Sequence, residues 1–229
     1  ISTDKFIFQS ESFLKAFPKL FKSNYCILPN CINIKKNYNI SEKYSLPKVE
    51  INILFVGWLE PIKNLNLLFN SVNILKELLP HKKININIVG EGSQKNALEI
   101  MANDLKLNAK FYGWINNKEK LNQIYINSDC FCLTSIAEGF PNVILEAMYH
   151  GLPIISTKVG GLSYWLKEER NILFSENFDP YNLALNILKL FSSEDLFLSI
   201  SKNNFEDSRR RFNCDSIAKN LKIILKENI

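Results

Sequence analysis

Long apolar runs, histidines and surplus charge are all scarce in this chain of 229 residues. The longest apolar stretch, ILFVGWL from Ile53 to Leu59, falls far short of the ~20 residues a membrane-spanning helix needs. Nothing near the start resembles a signal peptide. The sequence opens on Ile1 rather than Met, as an excised piece would. A net charge of +5 suits an anionic ligand or surface but is too small for a nucleic-acid-binding signature. The five cysteines form an odd set without the spacing of a disulfide framework, which suggests a reducing, cytoplasmic setting. Cys130 and Cys132 alternate along one apparent strand, so both are expected in a single buried layer. His81 and His150 flank helix ends and have no catalytic partner nearby in sequence.

What is present is a soluble, globular composition, 46% apolar and 22% charged, with enough apolar residues for a sizeable core. Apolar runs alternate with amphipathic stretches. INILFVG (51–57), INIVG (86–90), AKFYG (109–113), DCFCLTS (129–135), PIIST (153–157) and NILF (171–174) read as strands. Between the first two, Leu65, Leu68, Phe69, Val72, Leu75 and Leu79 fall on one helical face. A second helix is expected to be capped by Ser93, with Leu98, Met101 and Leu105 inward. A third carries Leu121, Ile124 and Tyr125. The fourth ends at Gly151, a left-handed cap, with Pro153 beyond it. From about Pro180 the pattern is helical to the end, and Arg209 to Arg211 read as a solvated face.

Strand–helix repeats with continuously apolar strands predict an α/β fold, a Rossmann-like doubly wound parallel sheet with a helical C-terminal tail. Residues 1–36 read as the remnant of a preceding domain and its junction, with KFIFQS and YCILPN as strands around a short helix. Residues 37–48 form a polar linker, and 49–229 the main domain. Such sheets bind ligands beyond the carboxyl ends of their strands, which places the useful residues at 57–63, 90–93, 113–117 and 135–142.

In AEGFPNVILEA (137–147) the acids Glu138 and Glu146 stand eight positions apart. The first helical turn, near Phe140 to Val143, offers unpaired N–H groups and the positive end of a helix dipole, a place for phosphate. Carboxylates beside it suit sugar or ribose hydroxyls. Lys63 in GWLEPIKN can neutralise a diphosphate. Gly90 and Gly92 in VGEGS mark a tight turn or a close approach, as do the paired glycines of KVGG. No Asp-x-Asp pair occurs, so a metal-bridged site for an activated sugar has no support.

Together, FVGWLEPIKNLNLL, IVGEGS, FYGWI and SIAEGFPNVILEAMYHGLPIISTKVGG resemble the nucleotide-sugar-binding half of the family 4 glycosyltransferases, the glycosyl transferases group 1 domain of the GT-B fold. The similarity runs from about Ile27 to the end. It implies that Glu138 holds donor-sugar hydroxyls and acts with Lys63 as the catalytic pair, Lys63 on the diphosphate. Gly57, Trp58 and Gly90 would border the donor, and Tyr112, Gly113, Trp114 and Ile115 would flank the base. Backbone of Gly139, Phe140 and Pro141, with Asn142 and Val143, would face sugar and phosphates, and Glu146 would accept from the ribose. The implied reaction is a retaining, metal-independent hexosyl transfer without a cofactor, from a UDP-sugar in preference to a GDP-sugar. The implied acceptor is a glycan or lipid-linked molecule, with a peripheral membrane contact permitted by the charge.

Several positions depart from the family pattern. Trp58 replaces a phosphate-binding arginine, Asn64 a glycine, PNCIN the usual Pro-Asn-Gly-x-Asp, and GGLSYWL lacks the usual Pro and Glu. The family's amino-terminal domain is almost wholly absent from these residues, so the chain alone is expected to bind donor and transfer poorly. Two other readings stand beside this one: a GT-B-like nucleotide-sugar epimerase, and a non-catalytic binding module, which Trp58 favours.

Overall fold

The computed structural model describes residues 6–11, 25–34 and 48–226. Ahead of the main domain, β1 (Phe6–Phe8) and β2 (Tyr25–Ile27) pair in parallel, so both expected strands form. The helix expected between them, and the linker except Lys48, lie outside the described residues.

The main sheet contains β3 (Glu50–Val56), β4 (Lys83–Val89), β5 (Asn108–Phe111), β6 (Cys130–Leu133), β7 (Ile154–Thr157) and β8 (Ile172–Ser175). All pairings are parallel, in the order β5-β4-β3-β6-β7-β8. The apolar strands require this arrangement. Ile53, Leu54 and Phe55 are consecutive and fully buried, which happens only where both faces of a strand are covered. Cys130 and Cys132 are also fully buried, and burial pushes the Cys132 thiol up to about 12. The chain winds outward from β3 to β5, then returns to place β6 on the other side of β3. The order therefore reverses between β3 and β6.

The helices are α1 (Leu65–Leu78), α2 (Lys95–Asp104), α3 (Lys118–Ile126), α4 (Asn142–Tyr149), α5 (Leu162–Trp165), α6 (Pro180–Ser192), α7 (Glu194–Arg210) and α8 (Cys214–Lys226). The predicted stripe of α1 is buried at Leu65, Leu68, Phe69, Val72 and Leu75, and the helix lies against α6. Truncating the fully buried Phe69 to Ala is expected to cost about 3–5 kcal/mol. Asn64 enters α1 with φ 48° and ψ 49°, a left-handed region that tolerates asparagine better than other non-glycine residues. Gly151 ends α4 at φ 66°, as predicted.

Three expectations need correction. Ser93 does not cap α2, whose N-cap is Gln94. The Ser93 hydroxyl and N–H donate instead to Glu60 at 2.6 and 2.9 Å, tying the turn after β4 to the turn after β3. A disulfide joins Cys31 to Cys214, with Cα atoms 4.9 Å apart, a normal span for the bond. It staples the junction to the start of α8, where Ile32 N–H donates to Phe212 O and Cys214 N–H to Ile32 O. A separation of 183 residues hides the pair from any spacing rule. The solvated face read for the three arginines holds for the exposed Arg210 and Arg211, although Arg211 pairs with Asp207 at 2.9 Å, whereas Arg209 is half-buried and lies over the Phe205 ring. Among the described residues, no helix is long and apolar enough to cross a membrane.

Candidate functional site

The reversal between β3 and β6 leaves a crevice at the carboxyl ends of these strands, and several predicted residues gather there. After β3, Gly57 leads through Trp58 into a single 3-10 turn, Pro61–Lys63. The end of β6 anchors this turn: Thr134 Oγ1 donates to Lys63 O at 2.9 Å and Ile136 N–H to Ile62 O at 2.8 Å. Lys63 is thereby aimed at the segment after β6, where Nζ meets Glu138 Oε1 at 2.7 Å. Both side chains are largely shielded, with relative exposures of 21% and 9%. Glu138 lines a cavity of about 920 Å³ together with Gly139, Lys158, Gly160 and residues 7–10.

Gly160 explains one sequence motif. Its φ is +58°, and a Cβ there would lie 1.7 Å from Glu138 O. The glycine of KVGG therefore admits the backbone of the Glu138 segment. Gly139 O accepts from Gly161 N–H at 2.8 Å.

Beyond Glu138 the chain enters α4. Phe140 is fully buried, its ring 5.5 Å from that of Phe212. The expectation of an unpaired N–H at Phe140 is corrected, because it donates to Gln9 Oε1 at 3.1 Å. Gln9 in turn donates to Asn30, and Asn30 to Phe140 O. Sequence gave no signal for this ring of amides, whose members lie more than a hundred residues from Phe140. The helix itself begins at Asn142, exposed, behind the N-cap Pro141. Pro141 supplies no side-chain cap, which leaves the positive end of the α4 dipole open. Val143 is half-buried against the core.

Glu146 lies one turn further on and lines a different cavity, of about 370 Å³, between α3 and α4 with Lys118, Leu121 and Tyr125. Its Oε2 accepts from the Tyr125 hydroxyl at 2.7 Å. Burial raises the Glu146 carboxyl above its usual range, opposed by the Tyr125 hydrogen bond and the charge of Lys118. The fully buried Tyr125 has its phenol pushed well up, by burial first and by Glu146 second. The Tyr125 ring stacks on His150 at 4.8 Å. The sequence placed Tyr125 inward but did not reveal its hold on the acid.

On the other side of β3, Gly90 closes β4 at φ +137°, and a Cβ there would fall 1.9 Å from Gly57 O. Its N–H donates to Gly113 O. Tyr112 is turned to Asn87, 3.1 Å from its hydroxyl, and Ile115 packs against the core. Trp58 and Trp114 stack on one another, ring centroids 5.5 Å apart at 26°, and neither lines the Glu138 or the Glu146 cavity. No cluster of three or more His, Cys, Asp or Glu side chains able to hold a metal occurs among the described residues.

The sequence profile described as "Glycosyl transferases group 1" matches residues 37–207. The chain belongs to this family. It is 30% identical over 178 residues to mannosylfructose-phosphate synthase of Agrobacterium fabrum, a match covering 74% of this chain and 39% of that protein. It therefore spans about two fifths of that relative. Among solved structures, sucrose-phosphate synthase from Thermosynechococcus elongatus superposes with a TM-score of 0.81 at 22% identity, covering 99% of this chain and 58% of the other. Anabaena HepE in complex with UDP gives 0.80 at 19%, covering 98% and 64%. At these identities the two structures establish the fold, a parallel sheet of GT-B type.

Proposed function

We propose that this glycosyl transferases group 1 chain is the donor-binding half of a family 4, GT-B glycosyltransferase that takes a nucleotide-diphospho-sugar, a UDP-sugar in preference to a GDP-sugar. The observation that carries the reading is the Lys63–Glu138 pair beside the uncapped start of α4. A cation and a helix dipole together suit a diphosphate, and the carboxylate beside them suits sugar hydroxyls. In the unliganded chain each charge satisfies the other. A donor replaces this contact with two of its own, phosphate to Lys63 and hydroxyls to Glu138, so little desolvation remains to be met on binding.

Glu146, at the α3–α4 cavity, is the proposed acceptor for ribose hydroxyls, held in place by Tyr125. Fixed dipoles and Lys63 stabilise the departing diphosphate, the electrostatic preorganisation that a retaining, metal-independent hexosyl transfer requires. The acceptor is a glycan or a lipid-linked molecule, and the net charge of +5 suits contact with an anionic membrane. The likeness to HepE, solved with UDP, supports the choice of base.

Calorimetric titration with UDP, GDP and ADP tests the reading. Saturable binding of UDP is expected, weakened roughly tenfold or more by Glu146→Ala through loss of a charged hydrogen-bond acceptor. Absence of binding by all three nucleotides would reject it.

A further inference from the structure

His150 is buried, a residue with no chemical partner near it in sequence. The structure supplies several. It follows α4 directly, and its Nδ1 lies 2.8 Å from the carbonyl oxygen of Glu146, one turn back. That oxygen only accepts, so Nδ1 carries the hydrogen and donates. The imidazole lies flat against the Tyr125 ring, centroids 4.8 Å apart at 6°, and meets Tyr149 edge-on at 5.1 Å. Arg209 of α7 covers the Tyr149 ring in turn. The Tyr125 hydroxyl then reaches Glu146 Oε2 at 2.7 Å. A loop of three residues closes. Glu146 is held at its main chain by His150, and at its carboxylate by the phenol that His150 braces.

From this closed loop we infer that His150 is a positioning residue of the donor site. Through Tyr125 it fixes the direction of the Glu146 carboxylate, and so sets a preference for ribonucleotide over 2′-deoxyribonucleotide donors. The inference rests on the reading of Glu146 as the acceptor for ribose hydroxyls. A glutamate side chain has several free torsions, and ordering them on binding costs free energy that a pre-aimed carboxylate avoids. An ionised carboxyl offers about four acceptor positions, of which Tyr125 takes one. Oε1 and the second lone pair of Oε2 remain for the paired hydroxyls of a ribose. A 2′-deoxyribose brings only one of those hydroxyls, and it forfeits most where the aim of the carboxylate is fixed. A carboxylate free to turn would follow the remaining hydroxyl, and the distinction would fade. Lys118 and Glu119 of α3 and Tyr149 of α4 line the same cavity and stay unchanged in the variants below.

Calorimetric titration with UDP and 2′-deoxy-UDP reads the effect. Wild type is expected to bind UDP roughly tenfold or more tighter than 2′-deoxy-UDP, as a lost hydrogen bond to a charged group requires. His150→Ala should reduce this ratio to about threefold or less, chiefly by weakening UDP. His150→Phe returns a ring to Tyr125 without the Nδ1–H, and should keep the ratio within about twofold of wild type. Equal losses for both nucleotides would mark a merely structural role and overturn the proposal. A wild type that does not discriminate, an unchanged ratio in His150→Ala, or no recovery in His150→Phe would overturn it too. A second readout needs no nucleotide. NMR scalar couplings along the Glu146 side chain of the unliganded protein should report one rotamer in wild type and His150→Phe, and averaging in His150→Ala. Identical couplings in all three would overturn the proposal. If neither nucleotide binds wild type, the donor reading fails, while rotamer averaging in His150→Ala alone would still uphold the hold of His150 on Glu146.

Discussion

Removing the hydroxyl of Tyr125 isolates the chemistry of Glu146 without touching that acid. In Tyr125→Phe the ring keeps its stacking on His150 and Phe131, while the 2.7 Å hydrogen bond to Glu146 is lost. A hydrogen bond to a charged group contributes about 1.5–3 kcal/mol, and one between neutral groups about 1. At pH 8, with Glu146 ionised, the expected destabilisation is about 2 kcal/mol, a fall of roughly 4–8 °C in melting temperature for a domain of this size. At pH 4.5 the raised Glu146 carboxyl holds its proton more fully than an ordinary one, so the loss should be smaller. The direction follows from linkage. The folded Glu146 holds its proton to a higher pH than the unfolded chain, whose carboxyl titrates near the ordinary 4.5. Its contribution to stability is therefore fully present below 4.5 and falls away as pH rises through the raised folded value. Phenol loss enlarges that fall, because the hydrogen bond was holding the pKa down. Thermal melts of both proteins at pH 4.5 and pH 8, followed by circular dichroism, provide the measurement. An equal gap at the two pH values, or a gap under about 1 °C at pH 8, would refute the view that Tyr125 supports an ionised Glu146.

Three further outcomes are expected. Lys63→Met should weaken UDP by roughly 10–100-fold in calorimetry, the loss of a charge-assisted contact, and leave uridine affinity nearly unchanged; equal losses for both would remove Lys63 from the diphosphate. Gly160→Ala, with its Cβ driven against Glu138 O at φ +58°, should displace the Glu138 segment and abolish saturable UDP binding; wild-type affinity would contradict it. Asp129→Ala strands Lys48, bonded at 2.6 Å, and the backbone N–H of Asn52, bonded at 2.8 Å. Since Lys48 is partly exposed, the cost should fall near the lower end of the range for breaking a buried pair, about 3 kcal/mol by urea denaturation.

The fold was legible because its signals are local. Each main strand is a short apolar run, and α1 shows its buried face as a 3.6-residue repeat. Gly151 and Pro153 mark the end of α4 within three positions. The positions of Lys63 and Glu138 beyond strand ends were legible for the same reason. Their contact was not, since 75 residues separate them and the pairing depends on which strand lies beside β3. The Ser93 cap failed where a tertiary partner, Glu60, competed for the hydroxyl. Cys31 and Cys214 meet through the packing of a junction against a terminal helix, and the two indoles meet across a strand that separates them. Local chemistry is written along the chain, whereas partnership is written in the strand order.

The ring of amides around Phe140 has a mechanical consequence. Gln9 and Asn30 hold the N–H and C=O of a single peptide-bearing residue, and Trp165 Nε1 holds Gln9 O at 2.6 Å. The stretch entering α4 is thus held by residues that follow β1 and β2, outside the sheet that carries the site. The aim of Glu138 is therefore tied to residues 7–10, which hold the entry to α4 and line the same cavity.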